Sequence, residues 1–324
     1  MGRIRKIGSA HCNYSQILYQ FLTFTQNLKR SLMNGKRKLH LPLKYLFVLP
    51  AMLLNVVFFI YPFIQTLRIS FYDWSILGGK KFIFIKNYVT LVQDKQFWTS
   101  LTFTLKYALF VTPCLFILAF ILALLVNGTF RGVNIFRTLF FSPVVISMTC
   151  CSMIWLWIYN DLYGVMNYLL QMTGLIKEPI LWMNSAKTSL PAVIFMVTWK
   201  MSGFSMLIIL AAFQGVDDQV YEAARVDGAG WVAQFFKITL PIIKPQVALA
   251  MIMSVTGSVL AFEQFSIMTK GGPSQLTTTS VHYIYNTSFN YFKLGYGSAM
   301  TVILLLILGA LSFLQYHVLR DSTN

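Results

Sequence analysis

Charge is scarce in this chain: of 324 residues only 11% are Asp, Glu, Lys or Arg, ten of them acidic, and no acid precedes Asp73. A soluble globular domain carries about 25% charged residues, so a large water-exposed surface is excluded. Cysteine is scarce too. Of the four, Cys114, Cys150 and Cys151 fall inside apolar runs, where they read as small packing residues rather than a disulfide framework. His11, His40, His282 and His317 are scattered, without the spacing of a metal site. No G-x-x-x-x-G-K-[ST] string is present, so the chain has no phosphate loop for ATP, and no H-E-x-x-H or G-x-S-x-G string points to hydrolysis. Gly228, Gly230 and Ala233 satisfy G-x-G-x-x-A, but no strand pattern precedes them, and a dinucleotide site needs one. The chain is therefore expected to be no enzyme, with no cofactor and no metal, and any energy must come from a partner.

What is abundant is hydrocarbon. Hydrophobic residues make up 56% of the chain and its mean hydropathy is +0.63. Charge-free runs cover 45–67, 107–130, 138–160 and 294–319, and two more, 190–213 and 245–268, are each interrupted once, by Lys200 and by Glu263. Each run exceeds the roughly 20 residues that cross about 30 Å of hydrocarbon as a helix. Backbone groups in lipid must be satisfied within the segment or in a closed barrel, and a barrel would alternate residue by residue. The fold class expected is all-α, a polytopic bundle of six transmembrane helices.

Basic residues orient the bundle. Nine lysines and arginines precede Tyr45, and with the N-terminus inside, Arg131, Arg137, Arg225, Lys237, Lys244 and Arg320 join them; nine lie in the outer loops. The bias predicts a plasma-membrane protein with both termini cytoplasmic. A net charge of +16 is then a topology signal, and no nucleic-acid motif interleaves with it. Residues 17–24 are too short and too polar for a secretory leader.

Between the fourth and fifth runs lies a charged island, EAARVDGAGWVAQFFKITLP, residues 222–241. Asp217 and Asp218 suit a helix start, Gly228 suits the positive φ of a helix end, and Trp231, Phe235 and Ile238 share one face of a second short helix. Pro241 and Pro245 are expected to punctuate the return to the membrane. This compact helix-turn-helix has the form of a docking knob.

The island resembles the EAA loop of permease subunits of binding-protein-dependent ABC importers, whose pattern is EAA, three residues, Gly, nine residues, Ile, any residue, Leu-Pro. Glu222, Ala223, Ala224, Gly228, Ile238, Leu240 and Pro241 meet every fixed position. Segments 86–105, 136–143, 154–170 and 269–300 are similar, in order, to the sugar-importing branch. The resemblance implies a cytoplasmic coupling loop over 214–245 within a permease domain of 45–319, flanked by a basic tail (1–44) and a short C-terminus (320–324). It implies two ATP-binding cassette ATPase subunits docked on the island, a second and distinct permease subunit, an extracytoplasmic solute-binding protein and a sugar or related solute. Residues before Met33 resemble nothing in the family, and translation is expected to begin naturally at Met33.

Lys200 sits about ten residues into its run, roughly 15 Å deep at helical rise, where a cation costs about 2.5–3.5 kcal/mol. It needs helix-end carbonyls, Glu263, solute or a route out to the interface. Glu263, near the outer end of the fifth run, is either wetted by an outer vestibule or lines the path. Gly271, Gly272 and Pro273 break the chain on the outer side and read, with Lys200 and Glu263, as path or gate residues. Trp155, Trp157, Trp182 and Trp199 suit either sugar stacking or anchoring at the membrane interface. Rival readings are a non-transporting membrane scaffold and an ion-driven secondary transporter, the latter disfavoured by the lack of midplane carboxylates.

Overall fold

The computed structural model of the chain describes residues 40–128 and 130–321. The expectations about the basic tail before residue 40, the start at Met33 and the last three residues lie outside the described residues. Two compact units follow one another, divided between Ile64 and Gln65.

The first unit is helical: α1 (His40–Asn55) passes through a π turn (Val56–Ile60) into α2 (Tyr61–Ile69), which runs on into the second unit. Val48–Ile69 is long and apolar enough to be the first span.

The second unit opens with a short antiparallel hairpin, β1 (Tyr72–Trp74) with β2 (Lys80–Phe82), the one strand pair among the described residues. Gly78 and Gly79 supply the turn, and the Lys80 ammonium lies 4.3 Å from the Tyr72 ring centre and 4.7 Å from that of Trp74. Helix α3 (Lys86–Gln93) leads into α4 (Lys95–Val126), 32 residues long. Asp94 starts α4 by accepting the amides of Gln96 (3.0 Å) and Phe97 (3.1 Å). Then follow α5 (Val133–Val145), α6 (Met148–Ile158), α7 (Val165–Met172), α8 (Ala186–Gln214), α9 (Asp218–Val226), α10 (Trp231–Gln234) with a π turn (Phe235–Thr239), and α11 (Leu240–Val259). The chain ends with α12 (Glu263–Met268), α13 (Ser280–Tyr285) with a π turn (Asn286–Asn290), and α14 (Leu294–Asp321).

Among the described residues five helical stretches have the length and composition of spans: Val48–Ile69, Lys95–Val126, Lys187–Gln214, Trp231–Met268 and Leu294–His317. The pair α5 and α6, bent by 95°, makes a sixth when taken as one span. The expected runs are thus matched by these five stretches and that pair, with two differences. The third, expected as one rod over 138–160, is broken at Ile146 and Ser147, whose extended backbones (ψ 134° and 144°) separate α5 from α6. And Pro241 and Pro245 do not interrupt the fifth: the helix runs from Trp231 through both. Proline lacks an N–H and crowds the carbonyl four residues back. The π turn at Phe235–Thr239 widens the helix where Pro241 would collide, and Pro241 itself falls in the first turn of α11.

Packing centres on α4 and α8. At one end Phe103, Tyr107 and Val111 of α4 meet Val193, Met196 and Val197 of α8, with Trp155 of α6 and Phe265 of α12. At the other, Leu115, Ala119 and Ala123 meet Met206, Ile209 and Phe213, with Ile243 and Ala250 of α11. The alanines let the two backbones approach, as small residues do between helices in lipid. Leu304 of α14 closes the bundle on Ala108 and Val259.

Candidate functional site

Two features stand out, a helical knob and a cavity. The knob is α9 with the start of α10. Asp217 caps α9, its carboxylate accepting the Gln219 amide at 3.0 Å; Asp218 lies in the first turn and Arg225 in the last, each charge matched to the helix dipole. The helix ends as expected. Gly228 adopts φ +79°, its amide donates to the Arg225 carbonyl (3.0 Å), and the Ala229 amide donates to the Ala224 carbonyl (2.9 Å), the paired bonds of a Schellman cap. From there a polar chain returns to the membrane helix: Gln234 Nε2 donates to the Ala229 carbonyl (2.8 Å), Thr239 Oγ1 to the Gln234 carbonyl (3.2 Å), and the hydroxyls of Thr239 and Tyr221 share a bond of 2.9 Å. The knob is thereby tied to the π turn that leads into α11.

Of the island residues, Ala224 is buried against the bundle while Glu222, Ala223 and Gly228 are exposed. Ile238, Leu240 and Pro241 lie in the π turn and first turn of α11, Ile238 and Leu240 half-buried. Val226, Trp231, Val232 and Phe236 present apolar side chains to the outside of this unit, and Trp231 stacks on Phe235 with ring centres 5.9 Å apart.

The cavity, about 260 Å³, opens between α4, α6, α8, α11 and α12. Its polar lining is Tyr107, Ser205, Ser254, Ser258 and Gln264; Met148, Met201, Phe204 and Met253 supply apolar wall. No lining side chain is charged. Gln264 and the Tyr107 hydroxyl approach to 3.4 Å, joining α12 to α4. The stripe Ser254, Gly257, Ser258 on one face of α11 was readable by its spacing, though only the fold shows what it faces.

Lys200 and Glu263 do not line this cavity, but their chain neighbours Met201 and Gln264 do. The Lys200 side chain is buried and donates to the Val144 carbonyl at 3.2 Å. Of the alternatives open at the sequence level, this is the helix-end carbonyl: Val144 lies at the C-terminus of α5, where the dipole favours a cation by about 0.3–2 kcal/mol. Three residues on, Gly203 meets α5 so closely that a Cβ would lie 2.2 Å from the Phe140 carbonyl oxygen. Glu263 opens α12, the last segment of the Trp231–Met268 stretch; it is exposed and accepts a hydrogen bond from Thr149 Oγ1 (3.1 Å) in the first turn of α6.

Gly271, Gly272 and Pro273 form a braced turn. Gly271 has φ +80°, and a Cβ there would lie 2.6 Å from Thr278 Oγ1. The Thr277 hydroxyl donates to the Gly272 carbonyl, and Thr277–Ser280 are buried. That segment is bolted to α4: the Ser280 amide donates to Thr104 Oγ1 (2.9 Å), while Tyr283 (3.0 Å) and Tyr296 (2.6 Å) donate to the second oxygen of Asp94. Burial, with the Asp94 carboxylate beside it, raises the Tyr283 phenol well above its usual range. Nothing in sequence spacing linked Asp94 to tyrosines some 190 residues away. Trp155 and Trp182 are packing residues, in contact with Tyr159; Trp157 is well exposed and Trp199 partly so.

Residues 92–323 match the family of binding-protein-dependent transport system inner membrane components, and the chain belongs to it. The chain is 35% identical over 281 residues (86% of this chain, 96% of the relative) to a probable ABC transporter permease protein, YurN, of Bacillus subtilis. It is 33% identical over 281 residues to the lactose transport system permease protein LacF of Rhizobium radiobacter (86% and 94%). Against the sulfoquinovosyl glycerol transport system permease protein SmoG of Agrobacterium fabrum it is 32% identical over 282 residues (86% and 91%). A chain of a bacterial ABC transporter involved in import of the acidic polysaccharide alginate shares the fold, with TM-score 0.74 and 22% identity over 93% of this chain and 100% of that one. The protein is a multi-pass membrane permease component of an ABC importer.

Proposed function

We infer that this permease moves a sugar or related carbohydrate into the cell, driven by two separate ATP-binding cassette subunits that dock on the α9 knob. The observation that carries the reading is the knob itself: a capped helix bearing Glu222, turned by Gly228 and hydrogen-bonded through Tyr221 and Thr239 to α11, which walls the cavity. Closure of the ATPase pair then shifts α9 and α11 together and reshapes the cavity. Ala223, Ala224, Ile238, Leu240 and Pro241 complete the docking element. The knob and both termini face the cytoplasm; the Gly271–Pro273 turn faces an extracytoplasmic solute-binding protein, and a distinct second permease completes the transmembrane pair. Lys200 and Glu263 border the path and the braced turn sits at its outer end.

A carbohydrate fits the lining of hydroxyls, one amide and aromatic rings. Two relatives are named for lactose and sulfoquinovosyl glycerol transport, and that agrees. The test is affinity capture of the tagged chain from its host: the ATPase accompanies the parent chain and is lost with Glu222→Lys. An intact protein that never retains an ATPase refutes the docking assignment.

A further inference from the structure

The break between α5 and α6 falls in the middle of the apolar run 138–160, and non-helical backbone within such a run is tolerated in lipid only against protein or a cavity. At Ile146 and Ser147 the last carbonyls of α5 and the first amides of α6 lose their helical partners. Each of the two charges interrupting the apolar runs is found at one side of this break. Lys200 of α8 reaches the C-terminal end of α5, through the Val144 carbonyl. Glu263 of α12 reaches the N-terminal turn of α6, through the Thr149 hydroxyl. The signs are right: a cation at the negative end of one helix dipole and an anion at the positive end of the next. Moreover, the chain neighbours of all three side-chain partners, Met148, Met201 and Gln264, are cavity wall.

We propose that Lys200 and Glu263 are positioning residues that clamp the bent α5–α6 pair from the two sides of its break and thereby hold open the end of the cavity formed by Met148, Met201 and Gln264. Neither needs to touch solute. The Lys200 side chain is buried and its contact holds α5 on α8, where the two helices approach so closely at Gly203 that no side chain fits. The Glu263 contact is exposed and joins two short segments, so it is the half of the clamp that can release. The proposal goes beyond the transport reading and is tested without it.

The experiment uses the full chain with its co-expressed partners in lipid nanodiscs, the native cysteines replaced, and spin labels at Ile135→Cys and Trp157→Cys, both exposed positions on α5 and α6. At helical rise the two arms of the observed bend place the label sites about 23 Å apart, against about 33 Å for an unbroken helix of that length. The parent gives the shorter distance, and Lys200→Arg, which keeps charge and donor, preserves it. Lys200→Met and Thr149→Val shift or broaden the distribution toward the longer value, and the double variant shifts it further. Glu263→Gln, an acceptor without charge, falls between. A merely space-filling role for Lys200 would let Met substitute as well as Arg. Should Lys200→Met not accumulate, Lys200→Gln and Thr149→Val decide, and a parent-like distance in both overturns the proposal. The distance is read whether or not the chain carries a sugar, so its failure and that of the transport reading are distinguishable.

Discussion

The amide of Ala229 donates to the carbonyl of Ala224 at 2.9 Å, across a turn that Gly228 makes at φ +79°. This bond ends α9 and aims the chain back toward α11. A Cβ at Gly228 would meet nothing within 4 Å, so the cost of a side chain there is purely conformational, about 1–2 kcal/mol for a left-handed L-residue and more for a β-branched one.

Gly228→Val should therefore leave the protein inserted but loosen the knob, lowering transport and ATPase retention together. Gly228→Asn, which tolerates the left-handed region, should retain most of both. Quantitative co-purification alongside uptake checks this, and equal loss in both variants would mean that something other than φ is at stake.

Asp94 carries two loads, the cap of α4 and the two tyrosine hydroxyls. Asp94→Ala removes a cap worth about 0.5–2 kcal/mol and strands two donors, so the unfolding temperature should drop by several degrees. Asp94→Asn, still an acceptor, should drop it less. Differential scanning fluorimetry of the detergent-solubilised protein reads both, and an unchanged melting point in Asp94→Ala would contradict this double role of Asp94.

His282 is buried, its Nδ1 has no hydrogen-bond partner, and burial lowers its pKa below the usual value. The neutral form is thus favoured in the fold. Above about pH 6.5, the ordinary histidine value, both folded and unfolded states are neutral and stability is full. As pH falls below it the unfolded chain takes up the proton first, and stability declines. The melting temperature between pH 8 and pH 5 should fall more steeply in the parent than in His282→Asn; parallel curves would show that His282 is not the group responsible.

Much of this arrangement was legible in sequence because it rests on local rules. Four of the seven spaced residues, Glu222, Ala223, Ala224 and Gly228, fall in the knob, Asp217 and Gly228 mark its two ends, and apolar length marked the spans. The break at Ile146 and Ser147 was not legible, since hydropathy over 138–160 is continuous and says nothing of backbone dihedrals. Pro143 and Ser147 were its only local trace. Pro241 and Pro245 misled for the opposite reason: a local breaker was absorbed by a π turn that only the surrounding helix explains. The ties of Asp94 to Tyr296 and of Lys200 to Val144 join residues far apart in the chain and needed the fold.

Orientation rests on the distribution of basic residues and has its own test. Cysteines placed at Ser274 and Gln275, in a background without the four native cysteines, should react with an impermeant thiol reagent from outside the cell, and less with the binding protein docked. Reaction only from the cytoplasmic side would invert the topology and remove the knob from the ATPase face.

Uptake of labelled carbohydrate into proteoliposomes containing this chain, its co-purified permease and ATPase partners and the solute-binding protein tests the central claim most directly. The account predicts accumulation that requires ATP, is abolished by Glu222→Lys, and persists when ion gradients are collapsed. Accumulation that follows an ion gradient without ATP, or that is unaffected by Glu222→Lys, would contradict it.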